Sequence, residues 1–125
     1  MSVIGVDYRD RRPIYEQLVG NIRELILRGV LLPDEQLPSV RSLAAELAIN
    51  PNTIHKAYAE LERSGVIYSS PGRGSFVSGD SAVLRRESLR VAEERLSAAM
   101  QEAKLAGLSA DAARAIINEI WRDEP

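Results

Sequence analysis

The sequence predicts a mainly α protein with one small β-hairpin, and three observations predict it. Two short segments with apolar residues at helical spacing, one around Leu43 and one around Leu61, are joined by only a few residues. A Gly-rich turn signal, Pro71-Gly72-Arg73-Gly74, follows directly between β-favouring runs. A long alanine-rich helical segment and a shorter, strongly apolar one complete the chain. The order helix, tight turn, helix, hairpin from Leu37 to Val77 is the signature of a winged helix-turn-helix. The expected fold is therefore an N-terminal winged helix-turn-helix over residues 1–79, with a small β-wing. A C-terminal two-helix dimerisation hairpin over residues 80–125 follows it.

The first helix is expected from Pro13 to about Arg28, with Ile14, Leu18, Ile22, Leu25 and Ile26 facing inward and Gly29 ending it. Ser39 caps a second helix running roughly to Ala48, in which Val40, Leu43, Ala44 and Leu47 recur at helical spacing. Ile49 and Asn50 leave only a tight connection. Asn50 is then an N-cap and Pro51 fits the first helical position, where a missing N–H leaves nothing unpaired. Ile54, Ala57, Tyr58 and Leu61 form one stripe of this third helix. Gly65 follows as a left-handed stop, Val66, Ile67 and Tyr68 favour a strand, and Phe76 and Val77 read as the returning strand.

The face opposite the stripe of the third helix carries Asn52, Thr53, His55 and Lys56 in its first half, nearly free of acid. Side chains of these types read base edges in a major groove, which a helix-turn-helix recognition helix meets with its N-terminal residues. Taken alone, the face fits an ordinary solvated helix equally well. Arg41 lies in the first turn of the second helix, where a cation opposes the macrodipole, so its use is expected outside the helix, on a phosphate or a guanine edge. Arg73, between two glycines at the hairpin tip, can approach a minor groove or a phosphate closely. The candidate DNA-binding set is Ser39, Arg41, Asn50, Asn52, Thr53, His55, Lys56, Arg73 and Gly74.

Past a break at Gly79-Asp80-Ser81, a long helix is expected from near Ser81 to Ala106, stopped by Gly107. Leu89, Ala92, Leu96, Ala99, Ala103 and Ala106 alternate three and four apart, with Met100 beside them, as in a heptad seam. Ser109 caps a last helix striped by Ala113, Ile116, Ile117, Ile120 and Trp121. Two such helices have too few apolar partners in their own chain, so packing against a second copy across a two-fold axis is expected, with Leu89, Ala92, Leu96, Ala99, Met100, Ala103, Ile116, Ile117, Ile120 and Trp121 at the interface. A hairpin folded back on the first domain is the alternative.

Four runs in order, Pro13-Ile14-Tyr15-Glu16-Gln17-Leu18, Gln36-Leu37-Pro38-Ser39-Val40-Arg41, Asn50 to Tyr58, and Gly72-Arg73-Gly74-Ser75-Phe76-Val77, resemble the GntR family of bacterial transcription regulators, in its YtrA-type branch with a short C-terminal region. The resemblance covers about Ile4 to Ser78 by motif. It implies operator contacts from Arg41, from the polar residues at the start of the recognition helix, and from Gly74 with Arg73 at the minor groove. It also implies a dimer and repression. Pro51 and His55 stand where many members carry Arg, so guanine contacts from those positions do not carry over; Asp34 stands where Gly is usual, and Ser75 replaces the common Thr.

Other chemistries find little support. His55 is the single histidine and there is no cysteine, so a zinc finger cannot be built, and no nucleophile motif or phosphate loop accompanies the histidine. No enzyme and no cofactor are expected. The start of the chain has no apolar signal core and no segment is long enough to span a bilayer, which fits the cytoplasm. Residues 1–79 hold nine Lys+Arg against nine Asp+Glu, and residues 80–125 hold seven against nine. Binding to DNA then depends on local placement of Arg41, Lys56 and Arg73 rather than on net charge. The expected function is a sequence-specific regulator, a homodimeric repressor on double-stranded DNA with an inverted-repeat operator; the alternative is a winged-helix module that binds another protein. A small-molecule effector, unidentified, would have to bind at the dimer seam or between the two regions.

Overall fold

The computed structural model describes residues 3–122. Its elements run α1 (Ile14–Leu27), α2 (Val40–Leu47), α3 (Pro51–Arg63), β1 (Ile67–Ser70), β2 (Gly74–Val77), α4 (Ser81–Leu105) and α5 (Ala110–Trp121). They divide into two compact units, Met1–Ser88 and Leu89–Pro125.

The first unit is built on the three apolar stripes that the spacing predicts. Leu18 and Ile22 of α1, Leu43 of α2, and Ile54, Ala57 and Leu61 of α3 are fully buried, joined by Val66 and Val77 at the base of the wing. Each of the Leu, Ile and Val side chains among them stabilises the fold by about 1.5–3 kcal/mol relative to exposure. The first two turns of α4 also belong here: Leu84 packs against the core, and buried Glu87 lies 3.1 Å from Arg23 Nε of α1. Asp80 starts that helix, its Oδ1 accepting from the N–H of Ala82 at 2.9 Å.

The three helices that lie wholly within this unit, α1, α2 and α3, stop in the same way. The N–H of Val30 bonds the carbonyl of Leu25, that of Ile49 the carbonyl of Ala44, and that of Val66 the carbonyl of Leu61. Each bond requires a left-handed residue just past the helix. Two stops use glycine, at Gly29 (φ 77°) and Gly65 (φ 83°), while α2 uses Ala48 at φ 55°. A Cβ in that region costs roughly 1–2 kcal/mol, against roughly 0.4–1 kcal/mol for the extra freedom glycine gives the unfolded chain. Ala48→Gly is therefore expected to stabilise by about 0.5 kcal/mol, read as a rise of about 2–4 °C in a thermal melt.

The wing departs from the expectation in two respects. The turn occupies Ser70 to Arg73, closed by the N–H of Arg73 on the carbonyl of Ser70 at 2.9 Å, and Gly74 already belongs to β2. Pro71 and Gly72 (φ 75°) take the two central positions, as a type II turn prefers. Val66 stays outside the paired strand because its N–H is committed to the end of α3. The chain before α2 also lies along the free edge of β2. The N–H of Asp34 bonds the carbonyl of Val77, that of Val77 the carbonyl of Glu35, and that of Leu37 the carbonyl of Ser75, at 2.8–2.9 Å. Asp34 takes the glycine-like conformation, φ 64°, and the turn forms.

In the second unit the C-terminal half of α4 is followed by Gly107 (φ 101°) and by Ser109, whose Oγ caps α5 through the N–H of Ala112 at 3.1 Å. No residue of α5 is buried.

Candidate nucleic-acid interface

The recognition helix α3 is positioned from beneath and from its start. Ile54, Ala57, Tyr58 and Leu61 are buried, which leaves Asn52, His55 and Lys56 exposed and Thr53 half-buried on the other side. Asn50 Oδ1 accepts from the N–H of Asn52 at 2.9 Å. Its carbonyl oxygen is thereby used within the helix, and its amide NH2 remains the donor. The Tyr58 hydroxyl donates to the carbonyl of Pro38 at 2.7 Å, tying α3 to the entrance of α2. Burial pushes the Tyr58 hydroxyl pKa well above its ordinary value, so it remains a neutral donor.

Arg41 is exposed in the first turn of α2, and Ser39 is placed as the cap of that helix, its Oγ accepting from the N–H of Ser42 at 3.0 Å. The wing is fastened to the segment just upstream. Gln36 Nε2 donates to the carbonyl of Arg73 at 2.7 Å. A Cβ on Gly74 would come within 3.0 Å of that same nitrogen, which gives Gly74 a structural reason beside its place at the wing tip. The Arg73 guanidinium lies 5.3 Å from the centre of the Phe76 ring, and Phe76 stacks on Tyr68 with centroids 5.5 Å apart. Tyr68 donates to Asp34 Oδ1 at 2.9 Å, which raises the tyrosine pKa. Through Gln36 and Tyr58, the start of α2 is linked to both the wing and the recognition helix.

Charge pairing accounts for how a unit of zero net charge presents cations. Arg12 is paired with Asp10, Arg23 with Glu87, Arg28 with Glu24, and Arg63 with Glu60. Arg9, Arg11, Arg41 and Arg73 have no ion-pair partner among the described residues, and Lys56 Nζ sits 4.0 Å above the Tyr15 ring. Asp10, Glu24, Glu60 and Glu87 are held in these pairs, and the exposed residues of α3's first two turns include Lys56 and no acid.

Sequence reasoning missed Gln36, the Tyr68–Asp34 pair and the Tyr15 platform under Lys56. Gln36 and Tyr15 lie inside the motif runs, but no periodicity marks them, since each acts on a residue 37 or more positions away.

A helix whose polar start is presented by a buried stripe, with Arg41 on one neighbour and Arg73 on a braced hairpin, is a winged-helix head built to hold DNA. Among the described residues, no group of three or more His, Cys, Asp or Glu could hold a metal ion, and no helix is long and apolar enough to cross a membrane. The family of bacterial regulatory proteins called gntR matches residues 14–77. The chain belongs to the GntR family, and it is a DNA-binding transcription regulator rather than an enzyme. It is 38% identical to the HTH-type transcriptional repressor YtrA of Bacillus subtilis (strain 168), over 97% of this chain and 94% of that one. Among solved structures, a GntR family transcriptional regulator from Listeria monocytogenes superposes with a TM-score of 0.76 at 32% identity, covering 88% of this chain and 96% of that one. The DNA-binding domain of AraR in complex with operator ORE1 matches with a TM-score of 0.52 at 32% identity, over 58% of this chain and 89% of that one.

Proposed function

We propose that the protein is a homodimeric repressor that acts in the cytoplasm by occupying an inverted-repeat operator. The observation that carries this reading is the acid-free polar start of α3, where Asn52, His55 and Lys56 are exposed, in the same unit as the exposed Arg41 and Arg73. In this reading Asn52, Thr53, His55 and Lys56 meet base edges and nearby phosphates, Arg41 takes a phosphate or a guanine edge, and the Arg73–Gly74 tip follows the minor groove. Ser39 and Asn50 hold the helix starts that bring the others there.

The second copy is supported by the second unit. Leu96, Ile116, Ile120 and Trp121 are each at least half exposed, and a 12-residue helix with no buried side chain has little to keep it folded alone. A groove of about 640 Å³ between α4 and α5, lined by Met100, Ala103, Leu108 and Ile117 among others, suits an apolar helix of a partner copy. Any small-molecule effector would compete for that groove or act at the same seam. Repression follows from the simplest mechanism, a dimer on a promoter excluding polymerase, and agrees with the repressor named among its relatives.

Selection of bound fragments from the source organism's sheared DNA by the purified full chain tests the reading. The expected result is enrichment of one inverted repeat, bound about a thousandfold more tightly than scrambled DNA. Recovery of fragments with no shared sequence would overturn it and point to a protein partner instead.

A further inference from the structure

We propose that the segment before α1, residues 7–13, is a pre-formed basic arm whose Arg9 and Arg11 grip DNA phosphates flanking the site read by α3. The inference rests on α3 entering the major groove, and it adds a contact surface to that reading.

The arm is built, not trailing. Gln17 on α1 is 1% exposed, and a buried amide without partners is costly, so where its two ends go is informative. Both go to the arm: Gln17 Oε1 accepts from the N–H of Asp7 at 2.8 Å, and Gln17 Nε2 donates to the carbonyl of Arg12 at 3.0 Å. One side chain thus brackets the loop at both feet. Ile4, just upstream, is buried in the core and anchors the chain that leads in.

The arm's acids are turned into its own turns. Asp7 Oδ1 accepts from the N–H of Arg9, and Asp10 Oδ1 from the N–H of Arg12, both at 2.9 Å. Asp10 Oδ2 also holds the Arg12 guanidinium at 2.7 Å. The Arg9 and Arg11 side chains are left exposed, with no ion-pair partner among the described residues.

Placement supplies the target. The Tyr8 hydroxyl donates to the carbonyl of Leu47, at the end of α2 and next to the turn into α3. At the other foot, Pro13 lines an open hollow with Tyr15, Asn52, Thr53 and Lys56 of the recognition helix's first turns. The loop therefore arcs past the start of α3. A helix seated in a major groove only about 12 Å wide has a phosphate strand close on either side. Cations beside its start meet those phosphates, and a guanidinium fork suits phosphate oxygens.

The test compares the full-length wild type with Arg9→Gln/Arg11→Gln on the selected operator and on scrambled DNA, from about 50 to 200 mM salt. Both side chains are exposed, so the thermal midpoint of the double variant is expected to match the wild type. Its plot of log K against log salt should be shallower by about two for each DNA-binding unit, with operator affinity about tenfold or more lower at low salt. The operator-to-scrambled ratio should hold, because phosphate contacts carry no sequence. Tyr8→Phe, which frees the arm from Leu47 without removing charge, should lose affinity severalfold. If the wild type discriminates operator from scrambled DNA but the double variant keeps its salt slope, the arm is overturned alone. If the wild type does not discriminate, the reading of α3 falls and the arm falls with it.

Discussion

Arg41→Glu is expected to lower operator affinity by about a thousandfold while leaving the fold intact. A good contact from an arginine to a base edge contributes roughly 1–3 kcal/mol, and a dimer loses it at two half-sites, so about 4 kcal/mol in total is a reasonable centre. The reversed charge adds repulsion from phosphate on top of that loss. Stability moves the other way. Arg41 is exposed with no ion-pair partner among the described residues, and it sits where the helix dipole disfavours a cation. An acid there gains roughly 0.3–1 kcal/mol instead. Anisotropy titration and a thermal melt on the same preparation should therefore show binding lost and the midpoint unchanged or slightly raised. Operator binding as tight as the wild type's would remove Arg41 from the site.

Leu96→Asp is expected to turn the dimer into monomers and to weaken DNA binding steeply. In the proposed seam two copies of Leu96 are removed from water, roughly 1.5–3 kcal/mol each, and the substitution would instead bury two carboxylates. In the lone chain Leu96 is half exposed, at 51%, so the substitution should leave the protomer's own fold alone. Sedimentation at micromolar concentration separates the outcomes. A variant that remains dimeric would move the interface to the stripe of Ile116 and Ile120.

What was legible in the sequence was local. The cap at Asn50, the proline after it and the stripe Ile54, Ala57, Tyr58 and Leu61 all act within a few residues, and α3 begins and buries where they say. The same holds for Ser39, Gly65, Gly107 and Ser109 as helix starts and stops. Ala48 as a left-handed stop was not legible, since alanine is a poor choice for that conformation and what closes the turn is a pair of backbone bonds, from Ile49 to Ala44 and from Ala48 to Ala45. The site's supports were illegible for a different reason. Gln36 reaches Arg73, Tyr68 reaches Asp34, Lys56 stands on Tyr15 and Tyr8 bonds Leu47, all across separations that no helical or strand period encodes. Asp34 shows the two kinds of information meeting. It occupies a glycine-like backbone position, and its carboxylate both accepts the Tyr68 hydroxyl and lies so close to Gly79 that a Cβ there would come within 2.6 Å of Oδ2.

In the proposed complex two α3 helices, held by a dimer, read two half-sites on one face of the duplex. The most direct measurement is a stoichiometric titration of the wild-type protein on the selected operator and on the same operator with about five base pairs inserted at its centre, half a helical turn. Two protomers are expected on the first DNA, with a loss of affinity of at least about a hundredfold on the second, because the half-sites then face opposite sides. Equal affinity for both DNAs, or one protomer on each, would contradict it.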